Sequence, residues 1–166
     1  MHNTEDPRPM PRKSFVIASA AVAALAAASL GLAHAADVEP KIDDPVSLRM
    51  NLMKDAGAAV GIMAAIAKGE AEFEPRAVKG ALLTLNAVAL GFPAQFPQGA
   101  TSETSEAAPA IWDDAAGFQE TAAKFIADTQ QAKSMPMTNA DEMKAALGLV
   151  AQNCKACHEN YRVKKN

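Results

Sequence analysis

Apolar side chains recur at three- and four-residue steps over four stretches of the chain, and each stretch predicts a helix with one buried face. The first covers about residues 45–68, with Leu52, Met53, Ala56, Val60, Met63 and Ala67 along one side. Asp44 stands where an N-cap belongs, Pro45 suits the first helical position, and Gly69 suits the stop. Gly57 and Gly61 weaken this helix a little but let another backbone or a flat ligand approach closely. The second helix covers about residues 75–90, opened by Pro75 and ended by Gly91, with Val78, Leu82, Leu85 and Ala89 on one side. The third covers about residues 109–133, buries Trp112, Phe118, Phe125 and Ile126, and is closed by Pro136. The fourth covers about residues 140–163. Asn139 followed three residues later by Glu142 has the pattern of a capping box. Met143, Leu147, Val150, Cys154, Cys157 and Tyr161 then follow alternating steps of four and three, the seam of a helix bundle.

Residues 92–108, with Pro93, Pro97, Gly99 and a Thr/Ser/Glu run, predict an irregular crossing segment. No segment alternates apolar and polar positions with β-branched enrichment, so strands are not expected. Four helices with mostly short connections predict an all-α domain, an antiparallel up-down-up-down four-helix bundle.

Residues 1–35 do not fit that pattern. Arg8, Arg12 and Lys13 precede an uncharged, alanine-rich run over residues 14–32, and Ala33-His34-Ala35 ends it with small residues at the two positions a signal peptidase reads. This predicts a secretory signal peptide over 1–35 and a mature domain over 36–166. A retained membrane anchor is the competing reading, since the run is about long enough to span a bilayer. No later stretch is expected to cross a membrane.

Cleavage changes the charge. It removes three of 16 basic and two of 19 acidic residues, leaving 13 against 17. That balance argues against a nucleic-acid partner, whose phosphates call for a basic excess. It also leaves His158 as the one histidine of the mature domain.

The candidate chemistry is Cys154-Lys155-Ala156-Cys157-His158, a C-x-x-C-H sequence. Positions i, i+3 and i+4 of a helix face one way. Two thiols so spaced can add to the vinyl groups along one edge of a haem while the imidazole meets the iron. A structural disulfide closing so short a loop would be strained and would restrain little chain. A thioredoxin-like dithiol wants its cysteine at a helix N-terminus, where the dipole lowers the thiol pKa, and this pair lies near a helix end. A closed zinc site wants four ligands, and the mature domain has three Cys and His residues in all.

The segment from Cys154 to Arg162 is similar to the ending of the class II c-type cytochromes, the cytochrome c-prime family. Pro109-Ala110-Ile111-Trp112 resembles that family's third-helix opening. Leu52-Met53-Lys54-Asp55 and Ala65-Ile66-Ala67-Lys68-Gly69 look most like its low-spin branch, cytochrome c-556. The resemblance covers nearly all of the mature chain. It implies a four-helix bundle carrying one covalent haem c through Cys154 and Cys157, with His158 on the iron.

In this family the residue on the other side of the iron lies in the first helix, four residues after a basic or polar position. Arg49 precedes Met53 by four. The resemblance therefore implies Met53 as the second axial ligand, with Met50 and Met63 in reserve. Periodicity alone reads Met53 more readily as core filler than as a ligand. Arg49 and Arg162 are expected near the haem propionates, although Arg162, Lys164 and Lys165 would also suit a helix C-terminus. Phe92, Phe96, Phe118 and Phe125 are expected to pack on the macrocycle or in the core. The function implied is a non-enzymatic periplasmic one-electron carrier serving other periplasmic redox proteins, with a possible homodimer through the first two helices. A basic cluster of Lys155, Lys164 and Lys165 would steer acidic partners. A five-coordinate protein that binds nitric oxide or carbon monoxide is the alternative.

Overall fold

A computed structural model describes residues 44–163. The expected signal peptide and Lys164 and Lys165 lie outside the described residues. The long helices are α1 (Pro45–Ala67), α2 (Pro75–Gly91), α4 (Ala115–Ser134) and α5 (Ala140–Tyr161), with a single helical turn, α3 (Ala110–Asp113), before α4. They form an antiparallel up-down-up-down bundle in which α1 packs on α2 and α5, and α4 packs on α2 and α5. By length and composition α1 could cross a membrane, which corrects the expectation that no such stretch follows residue 35. In the structure it is a bundle helix with Val46, Ala59, Met63 and Ile66 buried.

The helix ends follow from local chemistry. Asp44 caps α1 by accepting from the amides of Val46 and Ser47 at 3.1 and 3.3 Å. At the other end Gly69, at φ 76°, donates to Ile66 O while the Glu70 amide reaches Ala65 O. This paired closure needs a left-handed residue, which glycine adopts without strain. Glu74 caps α2 through the Ala77 amide at 2.6 Å. Asn139 caps α5 through the amides of Asp141 and Glu142, both at 3.0 Å. The Glu142 carboxylate folds back over the cap and accepts from the amide and hydroxyl of Thr138, one residue before the N-cap position that a capping box uses, at 2.7 and 2.9 Å.

Two boundaries differ from the sequence expectation. The third helix is broken at Asp114, whose backbone leaves the helical region. The Asp114 side chain accepts from the Gly117 amide at 3.2 Å and from the Tyr161 hydroxyl at 3.1 Å. A short acidic side chain that can cap a new helix competes with continuing the old one. Gly117 sits so close beneath these groups that a β-carbon there would lie 2.8 Å from the Tyr161 oxygen. The fourth helix stops at Tyr161 rather than Val163. Arg162 is extended and pairs with Ala107 in an antiparallel bridge, held by Ala108 N to Tyr161 O at 3.0 Å and Val163 N to Glu106 O at 2.8 Å. The linker offers backbone partners there, so an extended end satisfies more groups than another helical turn.

The apolar core fills one part of the bundle. Met63 and Ile66 of α1, Val78, Leu82 and Leu85 of α2, Ala132 of α4, and Met143, Ala146 and Val150 of α5 are buried together. Each large side chain in it contributes roughly 1.5–3 kcal/mol by leaving water. Beside this core the polar contacts are satisfied in pairs. Asn86 of α2 donates to Thr129 at 3.2 Å and accepts from Lys133 at 2.8 Å. Asp128 of α4 accepts from Lys124 at 2.5 Å and from Asn153 of α5 at 2.7 Å.

Asp128 gives the fold a pH dependence. The Lys124 hydrogen bond, then Asn153 and the Lys124 charge, hold its carboxyl below the usual carboxylate value against the opposing effect of burial. Its contribution is therefore present above the unfolded value of about 3.9 and is lost as pH falls through the lower folded value. Asp128→Asn is expected to melt at a lower temperature than the parent at neutral pH, and the gap is expected to close in acid. A gap that stays constant from neutral pH to pH 3 or so in thermal melts would refute this.

Candidate functional site

Beyond the apolar core, the bundle opens into a cleft of about 830 Å³. That lies within the range of small-molecule and cofactor sites, roughly 300–1,000 Å³. Its walls come from the first half of α1, the linker, the start of α4 and the last turns of α5. The turn pattern of α5 places Cys154, Cys157 and His158 on one wall. Met50 and Met53 of α1 line the same cleft, whereas Met63 is fully buried in the core and does not reach it. Of the three methionines considered on that helix, two remain geometrically eligible.

The aromatic residues gather at this cleft. Phe92, Phe96, Phe118 and Phe125 all line it. Phe96 makes edge-to-face contacts with Phe92 and Phe118 at 5.0 Å, and Phe118 with Tyr161 at 5.4 Å. Such geometry adds attraction beyond area burial. Trp112 locks the linker to α3 by donating its indole N–H to the carbonyls of Phe96 and Pro97 at 3.2 and 3.3 Å.

The two arginines differ. Arg49 is 4% exposed, and its guanidinium donates to Gln95 O, Ala100 O and Ser105 Oγ at 3.1, 2.8 and 2.7 Å. It also lies 4.8 Å over the Phe96 ring. Burial lowers its pKa, with the Asp44 charge opposing. Arg162 is half-exposed at the cleft rim and pairs with Glu106 through Nε at 2.6 Å and Nη2 at 2.5 Å. Sequence reasoning missed Glu106, Ser105 and Asn153, all of which line the cleft. The first two are 56 residues from their arginine partners, and no local pattern marks so distant a contact.

The thiols are free and half-buried. Burial pushes both Cys154 and Cys157 above the ordinary thiol value. That is the opposite of what a reactive dithiol needs. Partial desolvation lowers the His158 pKa, Arg162 acts in the same direction, and Glu106 opposes. A neutral imidazole is the form that binds a metal.

The cytochrome c' family model matches residues 44–162, the whole of this bundle and cleft. The chain belongs to the cytochrome c' family. It is 43% identical over 122 residues to a cytochrome c-556 from Agrobacterium tumefaciens, covering 72% of this chain and 98% of that one. Among solved structures, a cytochrome c' from Rhodopseudomonas palustris superposes with a TM-score of 0.70 at 34% identity, covering 74% and 98% of the two chains. A ferrous cytochrome c' variant from Alcaligenes xylosoxidans with bound nitric oxide gives a TM-score of 0.66 at 28% identity, covering 74% and 95%.

Membership of the cytochrome c' family brings haem c, covalently bound with its iron. The residues present fit that group. The cleft is of suitable size and largely aromatic and aliphatic, it holds two free thiols and an imidazole on one helix, and a helical glycine, Gly57, lines it with nothing within 4 Å of where its β-carbon would stand. The protein is thus a cytochrome c'/c-556-type haem protein, of a family of electron carriers and gas binders.

Proposed function

We propose that this chain is a periplasmic one-electron carrier whose haem is attached through Cys154 and Cys157 and ligated by His158 and Met53. The observation that carries the reading is that α1 and α5 bring a methionine and the C-x-x-C-H motif to one cleft, while Met63 is sequestered in the core. The bound haem supplies reversible one-electron chemistry at its iron, and a His/Met pair raises the reduction potential. The protein's own part is to hold both ligands so that little moves between oxidation states. The α5 backbone fixes the spacing of Cys154, Cys157 and His158, and the aromatic cluster excludes water. Arg162 at the rim is the cation available to the propionates, while Arg49, deeper in the cleft, donates to three linker acceptors. The mature domain starts at Ala36 in this reading, since the A-x-A ending of residues 33–35 directs cleavage there.

Lys155 of α5 is exposed, but Glu159 lies 3.8 Å from its ammonium, so it contributes only weakly to steering acidic redox partners. The outer faces of α1 and α2 expose Ile62, Leu83 and Leu90, the surface on which a homodimer would form.

The second reading is a five-coordinate haem protein that binds nitric oxide or carbon monoxide. The bound nitric oxide in the Alcaligenes structure favours it. Absorption spectra of the purified ferric and ferrous protein separate the two. Low-spin spectra in both oxidation states are expected, and a high-spin spectrum would transfer the assignment to gas binding.

A further inference from the structure

The linker over residues 92–108 is a strap fastened to two walls of the cleft, to α1 and to the end of α5. At one fastening the buried Arg49 of α1 holds three separate linker acceptors, Gln95 O, Ala100 O and Ser105 Oγ. Its face packs on Phe96 from the same segment. At the other fastening the linker pairs with the end of α5 through two backbone hydrogen bonds and the Glu106–Arg162 ion pair. Glu103 to Ala107, which include the fastened Ser105 and Glu106, line the cleft together with Met50 and Met53. Thr104 adds a 4.0 Å contact from its hydroxyl to the Met50 sulfur.

A guanidinium is expensive to bury unless its N–H groups are bonded. Here that requirement selects one linker conformation. Gln95 ends the short 3-10 turn Pro93–Gln95, and Ala100 follows the left-handed Gly99 at φ 78°. Only a linker turned in this way brings both carbonyls to one fork. A lysine ammonium, a single point on a flexible stem, does not span three acceptors so placed. Arg49 also lies one turn before Met53 on the same side of α1.

We propose that Arg49 is a positioning residue: by fastening the linker to α1 it holds the strap across the cleft beside Met53 and so limits access of small exogenous ligands to the iron. This rests on the His158/Met53 reading and assigns what guards that site. The guanidinium acts through the linker rather than on the reacting atoms.

The test uses the haem-loaded protein, with Arg49→Lys and the milder Ser105→Ala, which deletes one acceptor and keeps the arginine. Two readouts are taken, amide hydrogen exchange along the chain and carbon monoxide association with the ferrous form. Arg49→Lys is expected to speed exchange over residues 95–105 while amides in 78–85, in the apolar core, stay as protected as in the parent. Carbon monoxide association is expected to become several-fold faster. Ser105→Ala should move both readouts the same way by less. Unchanged linker exchange in both variants overturns the fastening. Faster exchange with unchanged association overturns the role in access. A shifted midpoint potential with unchanged linker exchange assigns Arg49 to the haem carboxylates instead and also overturns the proposal. The two readings fail separately: a high-spin parent spectrum sinks Met53 ligation, whereas unchanged linker exchange sinks the role of Arg49 whatever the spin state.

Discussion

Met53→Ala is expected to convert the haem from low-spin to high-spin and to open the iron to carbon monoxide. Met53 is partly buried and lines the cleft, so its removal costs less than the roughly 2–5 kcal/mol of a fully buried methionine. Met63→Ala should behave in the opposite manner. Met63 is fully enclosed by the apolar core, so that substitution takes the full cavity penalty of about 2–5 kcal/mol and leaves the spectrum low-spin. Spin state and stability therefore separate a ligand from core filler, a distinction that stability alone does not make. Met50→Ala, at a more exposed position on the cleft, is expected to keep the low-spin spectrum. A parent protein already high-spin, or a low-spin Met53→Ala, removes Met53 from the iron.

Replacing both Cys154 and Cys157 with serine is expected to abolish covalent attachment. The parent should keep its haem through acid–ketone extraction and give an intact mass of the 36–166 chain plus one haem. The double variant should lose all haem to the solvent. Each single variant should retain one thioether and resist extraction. The thiols are half-buried and line the cleft together from one helix. Extraction of haem from the parent would sink the attachment.

How much of this was legible beforehand depended on the range of the interaction. The apolar faces of α2 and α5 are local patterns, and Val78, Leu82, Leu85, Ala89, Met143 and Val150 are buried as their spacing implied. On α1 the single expected stripe was too narrow. That helix faces two neighbours, and Ala59 and Ile66 are buried beside Met63. The C-x-x-C-H motif and its wall of the cleft could be read because the chemistry sits within five consecutive residues. The break at Asp114 was read less well: its cap on Gly117 is local, but the second contact of its side chain comes from a tyrosine 47 residues later. Arg49 offered no sequence sign of its burial, since its partners are carbonyl groups of a loop whose path no periodicity encodes. Helix α1 illustrates the reverse case: it has the length and composition of a span but is used as one stave of a bundle.

Chain ends are ordinarily where fraying and proteolysis begin. Here the residues just past α5 are tied into the linker by Val163 N to Glu106 O, Ala108 N to Tyr161 O and the Arg162–Glu106 pair. An exopeptidase working inward from the C-terminus must strip Arg162 out of that pairing before it reaches the turn that carries His158. The resistance of the C-terminal motif to trimming is therefore set by a segment more than fifty residues upstream, and a cut in that segment would expose the tail without touching the helix itself.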